Sequence, residues 1–329
     1  MEQIIYLETN SQDPAYNLAF EEYVLKHRTT GNYLILWQNA NTIVIGKNQI
    51  AEAEINRAFV ESNKTHVVRR NTGGGAVYHD LGNLNYSIIT DTGDVSQLNM
   101  ERFTSLIVAA LESFGVHAEA SGRNDILING CKVSGTAQQI FHNRVLHHGT
   151  LLFDSNLEMV SGALHADPEK FQSKGVKSVR SRVGNIRSFL PQDYTLSDFW
   201  QKLKQFFAAN GLVQQTLGSE ELAAVQQLKE QKYDFWEWNF GNAPQYNFSK
   251  KRRWPGGILE VHAHVEQGLV SSISFWGDFL APYPIDEIVH MLVGLRFDYK
   301  AFFDALPSDS VSRCFGSISK EELLDTIFC

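Results

Sequence analysis

The dipeptide Asn129-Gly130, set between Ile126-Leu127-Ile128 and Cys131-Lys132-Val133, restricts this chain more than any other short segment. Asn-Gly flanked by apolar alternation is the strongest local signal for a two-residue type I′ hairpin, because both turn residues need positive φ. Pairing outward from the turn sets Ile128 opposite Cys131, Leu127 opposite Lys132, Ile126 opposite Val133 and Asp125 opposite Ser134. Side chains alternate across a strand. Ile126, Ile128, Cys131 and Val133 therefore share an inward apolar face, and Asp125, Leu127, Lys132 and Ser134 share the other. Asp125 and Lys132 become diagonal neighbours, about 7–8 Å apart at the backbone. Apolar runs at 132–140 and 144–153 continue the hairpin as antiparallel strands.

An ammonium and a carboxylate converging in this way suit a magnesium nucleotide, with Lys132 on phosphate oxygens and Asp125 on the metal. A solvated face carrying one weak ion pair is the competing reading, and on the hairpin alone it weighs more. A second segment adds to the first. Arg69-Arg70 closes an apolar run and leads into Asn71-Thr72-Gly73-Gly74-Gly75. Glycines admit positive φ and close approach of a ligand to the backbone, and by alternation one of the two arginines faces whatever the loop holds. A tight surface turn would use glycines too. No Gly-Lys-Ser/Thr ending follows, so this is not a P-loop, nor is it a dinucleotide fingerprint. Cations beside bare amides are what a phosphate-bearing ligand needs.

Composition narrows the setting. A chain of 329 residues, 43% hydrophobic and 20% charged, is a folded protein with room for one large and one smaller domain. The net charge of −8 argues against nonspecific nucleic-acid binding, so a basic cluster acts locally. Cys131, Cys314 and Cys329 form no disulfide framework and fit a reducing compartment. No basic-apolar leader and no apolar run of about 20 residues is visible, so a cytoplasmic protein away from the membrane is expected. A monomer is the default expectation.

Short apolar runs at 4–7, 33–37, 42–45, 66–69 and 84–89 read as strands. Asp13-Pro14 opens a helix running to about His27, read as amphipathic, with Pro14 at its first position. A longer helix spans 96–114, ended by Gly115. The segment 174–187 holds five basic residues, no acidic ones and no clear period, and reads as a loop. Helices follow near 196–209 and 220–232. Trp236 and Trp238 fall on one face of a strand-like segment and read as core. Strands at 246–251, 257–265 and 269–275, then helices near 286–293 and 320–327, form a last unit. The expected fold class is α+β: a large domain, 1–244, with mixed sheets and surrounding helices, and a small α/β domain, 245–329. His147-His148 has no zinc-spaced company, and neighbours on a strand face opposite ways. Lys250-Lys251-Arg252-Arg253 reads as a solvated strand face.

Beyond these derivations the chain resembles the lipoate–protein ligase A family. The resemblance is carried by Asn17-Leu18-Ala19-Phe20-Glu21-Glu22, the block 69–85, Gly130-Cys131-Lys132-Val133-Ser134-Gly135-Thr136-Ala137, His147-His148-Gly149-Thr150 and Lys177-Ser178-Val179-Arg180-Ser181-Arg182-Val183, in the family's order. It implies a catalytic fold shared with biotin–protein ligases and octanoyltransferases, with an accessory domain behind it. It also implies a two-step reaction: lipoate and MgATP give lipoyl-AMP and pyrophosphate, and an acceptor lysine then attacks. The resemblance makes Lys132 the catalytic lysine. It puts Arg70, Gly75, Ala76, Val77, Tyr78, Lys132, Thr150, Lys177 and Arg180 on the nucleotide or adenylate, and Trp37, Arg70, Lys132, Ala137 and His148 around lipoate. The implied partners are lipoyl domains of 2-oxo acid dehydrogenase acyltransferase subunits and the glycine-cleavage H protein.

Electrostatics accords with such a role. Joining a carboxylate to an α-phosphate brings two anions together, and a fixed ammonium between them gains strength as charge concentrates in the transition state. The basic segment 174–187 would shield the mixed anhydride from water. Two other readings stand beside the ligase: an octanoyl or lipoyl transferase using a cysteine thioester, and a catalytically silent relative that only docks lipoyl domains. Cys131, turned to the apolar face, disfavours the first. The retained Lys132, Arg70 and glycines disfavour the second.

Overall fold

The computed structural model describes residues 3–49, 51–92, 100–121, 124–164, 183–209, 211–240, 247–266 and 268–328. Fourteen strands are seen among them. β1 (Ile4–Glu8), β2 (Asn32–Trp37), β3 (Thr42–Ile45), β4 (His66–Arg69), β5 (Val77–His79), β6 (Asn83–Asp91), β7 (Ala118–Ser121), β8 (Asp125–Ile128), β9 (Cys131–Phe141), β10 (Arg144–Leu152) and β11 (Leu212–Gln214) build the large unit. β12 (Phe248–Trp254), β13 (Gly257–Glu266) and β14 (Leu269–Gly277) open the C-terminal one. Eight strands form a mixed sheet in the order β11-β1-β2-β6-β10-β9-β8-β7, parallel only where β1 meets β2 and β11. A small sheet, β4-β3-β5, and an antiparallel meander, β12-β13-β14, stand apart from it.

Alternation along the central strands gives the large sheet two lined faces. Leu34, Leu36, Leu84, Tyr86 and Ile88 pack against Phe103, Ile107 and Leu111 of the helix Met100–Glu112. Tyr33, Ile35, Trp37, Ile89 and Leu146 look the other way, onto helix α1 (Pro14–His27). Asp13 caps α1 by accepting from the amides of Ala15 and Tyr16, and Pro14 takes the first position. The expectation of an amphipathic helix is corrected here. From Pro14 to Leu25 all but Tyr16 are buried, the carboxylates Glu21 and Glu22 included. An all-buried helix has no solvent face, so those acids must find partners inside.

The Asn129-Gly130 turn forms with φ of 51° and 76°, as a type I′ hairpin requires. The inner register differs from the expected one. Leu127 faces Lys132, but a bulge follows, so Ile126 faces Ser134 and Asp125 faces Gly135, with Val133 the extra residue. The bulge turns Ser134 into the core, where it is fully buried, and brings Gly135 beside Asp125. Trp236 and Trp238 also depart from expectation: they lie on a short helix, Trp236–Asn239, and Trp236 is exposed. The C-terminal meander packs helices against one face through Leu259, Val261, Phe275, Phe302 and Phe315. Its outer strand β12 leaves Lys250, Lys251, Arg252 and Arg253 in solvent. That is a common way to keep a sheet edge from pairing. No helix among the described residues is long and apolar enough to cross a membrane.

Candidate active site

The α1 side of the large sheet carries a row of residues from strand to strand. Trp37 on β2 faces Asn85 on β6, and Asn85 faces Thr150 on β10. The Thr150 hydroxyl accepts from the Gly135 amide of β9 at 3.2 Å. In the next row Ser87 faces His148, which faces Ala137. Above these rows stands the loop between β4 and β5. The two enclose a cleft with about 630 Å³ of empty space, counted to its open mouth. Trp37, Arg70, Gly75, Ala76, Val77, Lys132, Ala137, His148 and Thr150 all line it, together with Leu18, Val44, His79 and Asn85. Nine expected site residues thus meet at one place, drawn from four strands and a loop.

Lys132 extends from β9, just past the turn. Asp125 accepts from its ammonium at 2.7 Å. Both side chains are partly exposed, so the pair adds little to stability; its effect is to hold the ammonium in place. The Lys132 side chain lies over Gly135, where a Cβ would come within 3.3 Å of its Cε and Nζ. A bare backbone is needed beneath the cation. The backbone of Lys132 is held too: Val183 pairs with it, and the Gly184 amide donates to its carbonyl at 3.0 Å. The Asp125 carboxylate meets Lys132, and among the described residues no group of three metal-ligating side chains stands around it or elsewhere.

The triglycine loop is held in shape by Arg70. Its Nε donates to Thr72 Oγ1 at 2.9 Å, one terminal nitrogen to the Val44 carbonyl, and the other to the carbonyls of Gly73 and Gly75. Arg69 turns to the other face and donates to carbonyls of Gly46, Lys47, Gln49, Trp238 and Asn239. Burial lowers both guanidinium groups to about 10, so both stay charged at neutral pH. Gly74 sits at φ 88°, a left-handed conformation that disfavours a side chain. Its amide donates to the Phe279 carbonyl of the C-terminal unit at 3.2 Å. The Gly75 and Ala76 amides have no acceptor among the described residues and stand at the cleft. Arg70 therefore acts first as the builder of the cradle, which the strand pattern did not reveal. Tyr78 differs from expectation: on β5 it points away from Val77 and His79 and packs with Ile43, Ile45 and Ala51. Lys177 and Arg180 lie outside the described residues.

A chain of hydrogen bonds ties the cradle to α1. Trp37 Nε1 donates to Ser87 Oγ, which donates to Glu21 Oε1 at 2.5 Å. His148 Nδ1 meets the same carboxylate oxygen at 2.8 Å, and its Nε2 meets Thr72 Oγ1 at 2.8 Å. With Nδ1–H given to the carboxylate, Nε2 accepts from Thr72, and Thr72 accepts from Arg70. Glu22 holds the loop from outside. Its carboxylate binds Lys26, Lys232, the Tyr233 hydroxyl and Asn71. Burial alone would raise it, but the Lys232 ammonium and its other donors bring it down to about 2. Glu21 and Glu22 were missed as site-supporting residues by sequence reasoning. The available signal was two adjacent acids inside an otherwise apolar helix, Leu18-Ala19-Phe20-Glu21-Glu22-Tyr23-Val24-Leu25.

Comparison with known proteins follows the same lines. Residues 13–208 match the family described as "Lipoyl protein ligase A/B catalytic domain", and residues 243–327 match "Bacterial lipoate protein ligase C-terminus". The chain is 41% identical over 325 residues to "Lipoate-protein ligase LplJ" of Bacillus subtilis, covering 97% of this chain and 98% of that one. In fold it is similar to P. falciparum LipL1, solved in complex with lipoate (TM-score 0.81, 23% identity, 98% of this chain and 97% of that one). It is also similar to a lipoate-protein ligase A bound with ATP (TM-score 0.63, 26% identity, 73% of this chain and 99% of that one).

Proposed function

This chain belongs to the lipoate–protein ligase family, and from that premise we propose how its residues divide the work. It is an ATP-dependent ligase: it activates free lipoate as lipoyl-AMP and passes the acyl group to a lysine of an acceptor lipoyl domain. Lys132 bridges the lipoate carboxylate and the α-phosphate, which lowers their repulsion and holds them in line. The free amides of Gly75 and Ala76 receive phosphate oxygens, and the buried charge of Arg70 biases that wall toward anions. Trp37, Ala137, Leu18 and Val44 form the apolar lining for the acyl chain, and Thr150, bonded to the Gly135 amide, meets the adenylate where the two reactants join. We assign magnesium to the nucleotide phosphates and not to a protein site, because Asp125 is committed to Lys132.

The observation that carries this reading is the Lys132 ammonium, laid over Gly135 and facing the unpaired amides of the glycine loop across one cleft. A thioester-forming transferase would need a cysteine in the cleft, and among the described residues neither Cys131 nor Cys314 lines it. Acceptors are the lipoyl domains of 2-oxo acid dehydrogenase acyltransferases and the glycine-cleavage H protein. The test is Lys132→Ala with pyrophosphate release as the readout. A loss of roughly 100–1000-fold with an unchanged melting temperature is expected, as for other single transition-state donors. Pyrophosphate release within a few-fold of the parent would refute the assignment.

A further inference from the structure

The deep end of the cleft presents hydrogen-bond donors that no group among the described residues satisfies. His79 is 3% exposed and lines the cleft, with Nε2 buried and unpartnered. Its proton can be located. Asn17 Nδ2 donates to the carbonyls of Ser11 and Gln38 and to Asn39 Oδ1 at 2.9 Å. That fixes the Asn39 amide, whose Nδ2 then faces His79 Nδ1 at 3.1 Å. Nδ1 must accept, so the hydrogen of the neutral ring is on Nε2. Burial, with Arg70 and His148 nearby, lowers His79 to about 3, so the ring is neutral at working pH. Asn85, 1% exposed, is similar: Asn83 donates to its Oδ1 at 3.0 Å, and its Nδ2 is left buried without a partner.

Both donors stand beside Trp37. The His79 ring lies edge-on to it, 6.3 Å between centroids, and Asn85 is its cross-strand partner. Asn85 and Gly135 lie two strands apart across β10, about 10 Å at the usual strand spacing. This is close to the length of an extended eight-carbon acid. An acid whose carboxylate meets Lys132 over Gly135 therefore ends at Trp37, His79 and Asn85.

We infer that His79 and Asn85 form an uncharged donor pair that reads the sulfur-bearing ring of lipoate, selecting it over a plain saturated acid of equal chain length. The inference rests on the ligase reading above. An all-carbon tail would leave both donors desolvated and unpaired, and a site built to donate rejects a ligand that cannot accept. Ring sulfur is a soft, weak acceptor, so the discrimination is moderate, about tenfold.

The test compares kcat/KM for pyrophosphate release with lipoate and with octanoate, in the parent chain and in His79→Phe and Asn85→Leu. The lipoate-to-octanoate ratio is expected to fall about tenfold in each variant, mainly through KM for lipoate. Ratios within twofold of the parent would overturn the inference, since residues that only support the fold slow both acids alike. A second measurement needs no variant. Calorimetric binding of lipoate to the parent chain is compared with 5-cyclopentylpentanoate, which keeps the ring shape and lacks sulfur. About tenfold weaker binding of the carbon analogue is expected, and equal binding would overturn the inference. Release of pyrophosphate with neither acid would instead overturn the ligase reading, and this inference with it.

Discussion

Gly135→Ala is the perturbation that the geometry of this site predicts most sharply. An added Cβ would come within 3.3 Å of Cε and Nζ of Lys132, a few tenths of an ångström too close. Gly135 is not among the positive-φ positions, so alanine meets no backbone strain there. The atoms in the way are the far end of a flexible side chain. Lys132 therefore yields and the sheet does not, and stability should change by less than about 1 kcal/mol, as for substitutions that leave packing intact. The ammonium moves by a fraction of an ångström to an ångström, and its hold on Asp125 at 2.7 Å loosens. Misplacing a positioning charge by about 1 Å can cost on the order of 100-fold in rate. Single-turnover pyrophosphate release with lipoate and ATP should fall roughly 10–100-fold, with the thermal melt superimposed on the parent's. A variant that folds normally and releases pyrophosphate within twofold of the parent would refute the claim that Lys132 acts by fixed position over a bare backbone.

Other consequences concern the buried charges. Glu22 lies at about 2 when folded, against about 4.3 in a free chain. Its contribution, roughly 3 kcal/mol, is complete above the unfolded value and is lost as pH falls toward 2. Glu22→Gln should therefore be destabilised by about that amount in urea melts at pH 7, with the gap closing below pH 4; a gap of equal size at both pH values would contradict the ion-pair account. His79 and His147 are each held at about 3 by burial. The unfolded chain takes up protons near pH 6.5 that the folded one refuses, so stability is full above 6.5 and declines as pH falls to 3. His147, stacked on Phe103 with both ring nitrogens unpartnered, allows the check: His147→Gln should flatten the acid limb of the melting curve, and an unchanged slope would count against it. Thr72→Val removes the hydroxyl linking His148 to Arg70. Binding of ATP, followed by calorimetry, should weaken about tenfold, as expected for a lost charge-assisted bond. Unchanged affinity would mean the loop keeps its shape without that link.

Much of the scaffold was legible because it depends on local rules. The Asn129-Gly130 turn needs two positive φ values, and only such a pair supplies them cheaply. The strands β3 and β4 and helix α1 follow from apolar runs bounded by turn residues and a Pro-led cap. What was not legible depends on residues far apart in sequence. The bulge at Val133 puts Ser134 in the core and Gly135 under Lys132, and neither placement shows in the order of residues. Arg70 spends its donors on carbonyls from Val44 to Gly75, so its role as loop builder appears only once β3 and β5 stand side by side. The Tyr78 side chain lies off the cleft for a simple reason: a strand sends neighbours to opposite faces, and Val77 and His79 took the cleft side. One partner of Glu22, Lys232, lies more than two hundred residues along the chain, and no periodicity could have announced it.

The position of the Lys132 ammonium relative to the reacting atoms decides the account most directly. A crystal structure of this chain with a non-hydrolysable lipoyl-AMP analogue should place Nζ about 3 Å from both an α-phosphate oxygen and the acyl oxygen. Finding the phosphate more than about 6 Å from Nζ, beyond direct hydrogen bonding, would contradict it.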